Sequence, residues 1–184
     1  MIMNKKAVSA LIATVLLIGI TVVAAGVIFV VVNSMTKTIK TTQACQDAAG
    51  LSLNTDEEYK SCLLEFDNNG VKNYYVFLQL GRDEKSYELN AIQVHLSYAG
   101  SSSTVEIKPN ASNVYNPTDR NIPIRLPNAN GDESYLIDAS ASGINYPVSR
   151  VGIAPIITVG TTLETCKVYD EVDLPKCAPS FTFT

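Results

Sequence analysis

The longest uninterrupted apolar stretch of the chain runs from Ala7 to Val32. Its 26 positions hold no charged residue, no Asn, no Gln and no Pro, and only Ser9, Thr14 and Thr21 carry polar side chains. In a helix, each of these hydroxyls can bond to a backbone carbonyl one turn earlier. Such a helix is about 39 Å long, which exceeds the roughly 30 Å hydrocarbon core of a bilayer. Because it is apolar on every face, it needs lipid or other helices all around it.

The helix is predicted to continue past Val32 and to become polar near Asn33, because the first clear helix breaker after the apolar stretch is Gly50. Gly19 and Gly26 lie seven residues apart in the apolar part, close to one face of the helix. Small residues let membrane helices approach each other closely, so we assign these two glycines to helix packing. The ordinary glycine content of a lipid-facing span would give the same spacing.

Beyond Gly50 the pattern changes to short strand-like runs separated by turn residues. The sequence Asp67-Asn68-Asn69-Gly70 predicts a hairpin turn. The run at 122–126 is interpreted as an edge strand, because an edge strand can tolerate Pro123. Eight or nine short strands predict a mostly antiparallel β-sandwich, with an immunoglobulin-like topology as the candidate. The predicted fold class is therefore α+β. The other predicted strands are 59–66, 74–80, 87–98, 104–108, 135–139, 151–159, 163–169 and 180–184.

Charge is distributed unevenly along the chain. Residues 1–40 contain four lysines and no acid, whereas the remainder has 10 basic and 18 acidic side chains, a net charge of −8. An acidic body argues against nucleic acid as a partner, because phosphate binding requires a basic face. The basic head Lys5-Lys6 before an apolar stretch is a membrane-targeting arrangement whose lysines stay on the cytoplasmic side.

The four cysteines, Cys45, Cys62, Cys166 and Cys177, all follow the apolar stretch. An even number on one side of a membrane span predicts disulfides in an oxidising exterior, with free buried thiols as the alternative. Three pairings are open, and the spacing favours two local loops, Cys45–Cys62 and Cys166–Cys177. A zinc site is disfavoured because the sequence has no Cys-x-x-Cys pair and only one histidine, His95, in a strand-like run.

The sequence contains no catalytic constellation, so we predict neither an enzyme nor a cofactor or metal site. The acidic clusters at 56–58, 83–84 and 132–133 fall at turns, where solvated carboxylates are common. Asn110-Ala111-Ser112 is an N-glycosylation sequon in a predicted loop, although such triplets also arise by chance. Asn116-Pro117-Thr118 is excluded as a sequon by its proline.

Three fates are open to the N-terminus. Removal as a secretory signal is disfavoured, because 26 apolar residues exceed the usual h-region of about 7–15 residues. The segment could stay uncleaved as a signal anchor. Alternatively, a peptidase could cut on the cytoplasmic side, near Lys6 and Ala7, and leave the apolar helix on the mature protein.

The third fate agrees with a family resemblance. The run Lys5-Lys6-Ala7-Val8-Ser9-Ala10-Leu11-Ile12-Ala13-Thr14, followed by apolar residues 16–25, resembles the N-terminus of archaeal type IV pilins. The resemblance implies cleavage between Lys6 and Ala7, with a cut before Val8 as the near alternative. It divides the chain into a leader at 1–6, a polymerisation helix at 7–49 and a β-sandwich ectodomain at 50–184. Leu11 replaces the glutamate of bacterial type IV pilins at the fifth mature position, which favours the archaeal branch.

The resemblance implies a structural subunit of an extracellular pilus that serves adhesion. Its partners would be other copies of itself, a prepilin peptidase and a membrane assembly machinery, and its precursor would be anchored in the cytoplasmic membrane. Two alternatives are a pilin-like accessory or stator protein of the archaellum and a singly anchored, ligand-binding ectodomain that does not polymerise. The single aromatic residue of the span, Phe29, weighs against the last, since lone spans often carry aromatic belts.

Overall fold

The computed structural model describes residues 5–54, 61–84 and 87–178. The chain divides after Thr42 into two compact units. The predicted strand at 180–184 and residues 1–4 of the predicted leader lie outside the described residues.

A single helix, α1, occupies Lys5–Asp47, and a 3-10 turn at Ala48–Gly50 follows it. The predicted continuation past Val32 is confirmed, and the helix ends three residues before Gly50. Hydroxyls of the helix bond to its own carbonyls: Thr21 donates to Ile18 O at 2.9 Å, and Thr36 donates to Val32 O at 2.8 Å. These bonds satisfy the hydroxyl of a polar side chain that lies on an apolar helix.

Within the described residues, ten strands follow α1, and all named pairs among them are antiparallel. The strands are β1 Leu51–Leu53, β2 Cys62–Asn68, β3 Val71–Arg82, β4 Leu89–Tyr98, β5 Ser101–Ile107, β6 Val114–Tyr115, β7 Gly131–Asp138, β8 Arg150–Val159, β9 Thr162–Thr165 and β10 Asp170–Asp173. The first sheet has the order β1-β3-β7-β6, and β2 also pairs with β3. The second sheet has the order β10-β8-β4-β5, and β9 also pairs with β8.

The two sheets share one hydrophobic core. Alternate side chains of β3 and β4 supply its centre, because successive residues of a strand point to opposite faces. The fully buried members from these two strands are Val76, Leu78, Leu80, Ile92, Val94 and Leu96. The α+β prediction, an apolar helix followed by antiparallel sheets, is confirmed.

The predicted hairpin at Asp67–Gly70 is confirmed between β2 and β3. Asn69 and Gly70 both have positive φ, 55° and 85°, and Gly70 N donates to the Asp67 carboxylate at 2.8 Å. Asn and Gly tolerate left-handed backbone better than other residues, so this tetrapeptide fixes the register of the hairpin.

The edge strand predicted at 122–126 is wrong: within the described range 87–178, these residues belong to no strand. Ile124 is buried in the core, and the prolines at 123 and 127 remove two backbone donors. The Tyr135 hydroxyl instead donates to Arg125 O at 2.6 Å. The run predicted at 163–169 is also shorter than expected, because β9 ends at Thr165 and the chain enters β10 only at Asp170.

Candidate functional site

The apolar part of α1 is exposed on every side within a single chain. All side chains from Ile12 to Lys40 are exposed, and Phe29 reaches 70%. Burying one Val, Leu or Ile side chain is worth about 1.5–3 kcal/mol, so this surface is strongly unfavourable in water. By length and composition, α1 is the one helix among the described residues that could cross a membrane.

Gly19 lies in an apolar notch on this surface. The notch is lined by Leu16, Ile20, Val23 and Ala24, and nothing lies within 4 Å of the position that a Cβ on Gly19 would occupy. The surroundings of Gly26 are equally open. Residues at this three- and four-residue spacing form the holes that receive side chains of a neighbouring helix. The sequence analysis identified the two glycines. The signal for the rest of the notch was the i, i+4, i+7 spacing of Leu16, Ile20 and Val23.

The last turn of α1 belongs to the β unit. Ala44 and Cys45 pack against a small cluster in which Ala48, Ile157 and Cys166 are buried. Cys45 forms a disulfide with Cys166 across 121 residues of sequence. The sequence analysis did not identify Tyr169, whose hydroxyl donates to the Cys45 carbonyl and whose pKa is raised by partial burial.

The second disulfide joins Cys62 of β2 to Cys177. The local pairs favoured by the spacing, Cys45–Cys62 and Cys166–Cys177, are therefore wrong. The sequence separation of two cysteines determines only the entropy cost of closing the loop between them. Which cysteines lie close enough to bond is decided by the fold. Here residues 175–177 run parallel to β2: Leu63 N donates to Pro175 O at 2.8 Å and Cys177 N donates to Leu63 O at 3.0 Å.

Polar side chains around Glu65 of β2 form a small ion-pair group. Glu65 accepts from Lys72 and, at 3.3 Å, from Lys176. Hydrogen bonds from these two ammonium groups lower the pKa of Glu65. Separately, the Arg120 guanidinium lies over Tyr115 and Tyr75, 4.9 and 5.8 Å from their ring centres. These are exposed pairs of modest energy, and the alternating pattern of the strands gave no sign of them.

The remaining candidate residues are dispersed. His95 is half-buried in β4, opposite Thr104 and Gly152, and Asn110 lies on an exposed turn. Among the described residues, no group of three or more His, Cys, Asp or Glu could hold a metal ion.

Residues 6–45 match the family model described as archaeal type IV pilin, N-terminal. No curated protein and no solved structure matches the chain. The matched residues include the whole exposed apolar surface of α1 and end at Cys45, where the helix is bonded into the β unit. Over residues 6–45 the chain is therefore similar to the N-terminal segment of archaeal type IV pilins.

Proposed function

We propose that this protein is the structural subunit of an extracellular archaeal type IV pilus and that it polymerises through α1. The observation that carries the proposal is the apolar surface of Ile12–Val32, exposed on all sides of a helix whose β unit has a complete core of its own. Lipid can cover this surface in the precursor. In a filament, copies of the same helix would replace the lipid, so the surface never meets water.

The proposal includes processing and location. Cleavage between Lys6 and Ala7, or one residue later, would remove the leader at 1–6 and leave a helical segment to residue 49 and an ectodomain from residue 50. The precursor would sit in the cytoplasmic membrane, and the filament would stand at the cell surface and serve adhesion. Prepilin peptidase and the membrane assembly machinery would be its partners before assembly. The family match to residues 6–45 supports these steps.

The test is the intact mass and N-terminal sequence of the protein in filaments sheared from the cell surface. We expect a chain that starts at Ala7 or Val8 and is the main component of the filament. A chain that keeps its first residues and is found only in membranes would instead be a signal-anchored ectodomain. A processed chain present only as a minor component beside archaella would support the accessory role.

A further inference from the structure

We propose that Asn110 is a site of N-linked glycosylation on the β unit. The proposal rests on the proposed function for one point, that the β unit lies outside the cytoplasmic membrane, where the modifying enzyme would meet it. The sequence has one unobstructed Asn-x-Ser/Thr triplet, at 110–112. The structure adds three observations about its accessibility.

First, the triplet lies on a tight turn after β5. Ala111 N donates to Lys108 O at 3.2 Å, which closes a turn whose third residue is Asn110. Asn110 has a φ of 66°, a left-handed conformation that asparagine tolerates. The turn thus places Asn110 at its corner, clear of both strands that flank it.

Second, the side chains of Asn110 and Ser112 face the solvent. Asn110 and Ser112 are exposed, whereas Ala111 between them is half-buried against the main core. The described structure gives neither the Asn110 carboxamide nor the Ser112 hydroxyl a hydrogen-bond partner. The backbone carbonyl of Ser112 accepts from the Tyr115 hydroxyl at 3.0 Å, which leaves the side chain of Ser112 out of this bond.

Third, the neighbouring asparagines are engaged. The side-chain amide nitrogen of Asn113 donates to the Ser142 hydroxyl at 2.6 Å. The side-chain oxygen of Asn116 accepts from Thr118 N at 2.9 Å. Asn116 also precedes Pro117, so its triplet is blocked by sequence. Asn110 differs from both, because no hydrogen bond in the described structure holds its carboxamide and no proline follows it.

The reaction needs a polyprenyl-phosphate-linked saccharide as its donor. The Asn110 amide nitrogen would attack the anomeric carbon of the sugar, forming an N–C bond. The C–O bond to phosphate would break, the phosphate would leave with the electron pair, and the amide nitrogen would lose one proton. The hydroxyl of Ser112 is the group that the modifying enzyme would read two residues after the acceptor.

The experiment is peptide mass spectrometry of protein from sheared native filaments, compared among variants expressed in the native host. Trypsin leaves Asn110 and Asn116 on one peptide because no Lys or Arg lies between them, so fragmentation must assign the modified residue. The variants are Asn110→Asp, which keeps a residue tolerant of left-handed backbone, Ser112→Ala, Ser112→Thr and, as the matched control, Asn116→Gln.

We expect a saccharide mass on Asn110 that is lost entirely in Asn110→Asp and Ser112→Ala and kept in Ser112→Thr and Asn116→Gln. Filaments in which the wild-type peptide has its unmodified mass would overturn the proposal and leave the pilus subunit proposal intact. A saccharide mass that persists in Asn110→Asp would also overturn it. Absence of the chain from filaments would count against the proposed function, and the membrane fraction would then still report whether Asn110 is modified.

Discussion

At the scale of the residue, single polar contacts join a loop to one sheet and one sheet to the other. The buried hydroxyl of Tyr135 donates to Arg125 O at 2.6 Å, and the Asp170 carboxylate accepts from Leu53 N at 2.8 Å. Burial raises the pKa of Tyr135 above its ordinary value. An aromatic residue in a strand predicts a buried ring, but not its partner, because the loop that brings Arg125 into place has no periodic pattern.

We expect Tyr135→Phe to lower the free energy of unfolding by about 1–3 kcal/mol, because it leaves the Arg125 carbonyl without its donor while preserving the ring. Denaturant unfolding of the full chain in detergent, followed by a spectroscopic signal of the β unit, measures the change. Tyr146→Phe is the matched control, since Tyr146 is 57% exposed. Equal stability of the wild type and Tyr135→Phe would show that the bond contributes nothing.

The raised pKa of Tyr135 also gives this contact a pH dependence. The fold keeps the phenol protonated, while the unfolded chain releases its proton near pH 10. The stabilisation is therefore fully present below pH 10 and is lost as the pH rises toward the higher folded-state value. The difference between wild type and Tyr135→Phe should narrow in unfolding curves recorded at increasing alkaline pH.

At the scale of the element, α1 was the part most fully predicted from sequence. Its length, its lack of breakers before Gly50 and the change to polar residues near Asn33 are all local properties. The two-residue strand β6 was not predicted, because Val114–Tyr115 is too short to show a period and exists through its pairing with β7. The run around Ile124 was predicted as an edge strand because such strands tolerate proline. Tolerance of proline does not provide a partner strand, and within the described residues this run pairs with none.

The notch at Gly19 leads to a prediction for the same element. Gly19→Leu should abolish filaments while leaving membrane insertion unchanged, because leucine fills the space needed by a neighbouring helix and meets nothing in its own chain. Gly26→Leu should act in the same way, and Gly19→Ala should weaken assembly less. Electron microscopy of sheared material measures assembly, and membrane fractionation measures insertion.

Ala25→Leu is the matched control, since it also enlarges a small residue but lies about 120° around the helix from Gly19. Filaments that form normally with Gly19→Leu would remove the argument for close contact at the glycines. An equal loss of filaments with Ala25→Leu would mean that a larger side chain on any face of the helix prevents assembly.

At the scale of the whole molecule, the alternation of the strands was enough to predict two packed sheets, but the cysteine spacing could not predict how they are joined. Cys45 pairs with Cys166 and Cys62 with Cys177, so the two bridged segments overlap along the chain. Each bridge closes a loop of more than 100 residues, and the model of loop closure gives the largest stabilisation to such long loops.

Alkylation without reductant should leave the mass of the protein unchanged, and digestion of the unreduced protein should release Cys45 joined to Cys166 and Cys62 joined to Cys177. Replacing either pair with serine should lower the free energy of unfolding by about 2–5 kcal/mol. Peptides that join Cys45 to Cys62 would contradict the pairing seen in the structure. A gain of four alkyl groups without reductant would contradict disulfides altogether.

The overlap of the two bridges has a consequence for resistance to proteolysis. A single cut by a protease anywhere between Cys45 and Cys177 leaves two fragments that are still joined by at least one disulfide. Two local pairs would leave the long segment between Cys62 and Cys166 unprotected, so that one cut there would release the outer part of the protein. With overlapping bridges, both fragments of a chain cut once between Cys45 and Cys177 stay covalently attached to α1.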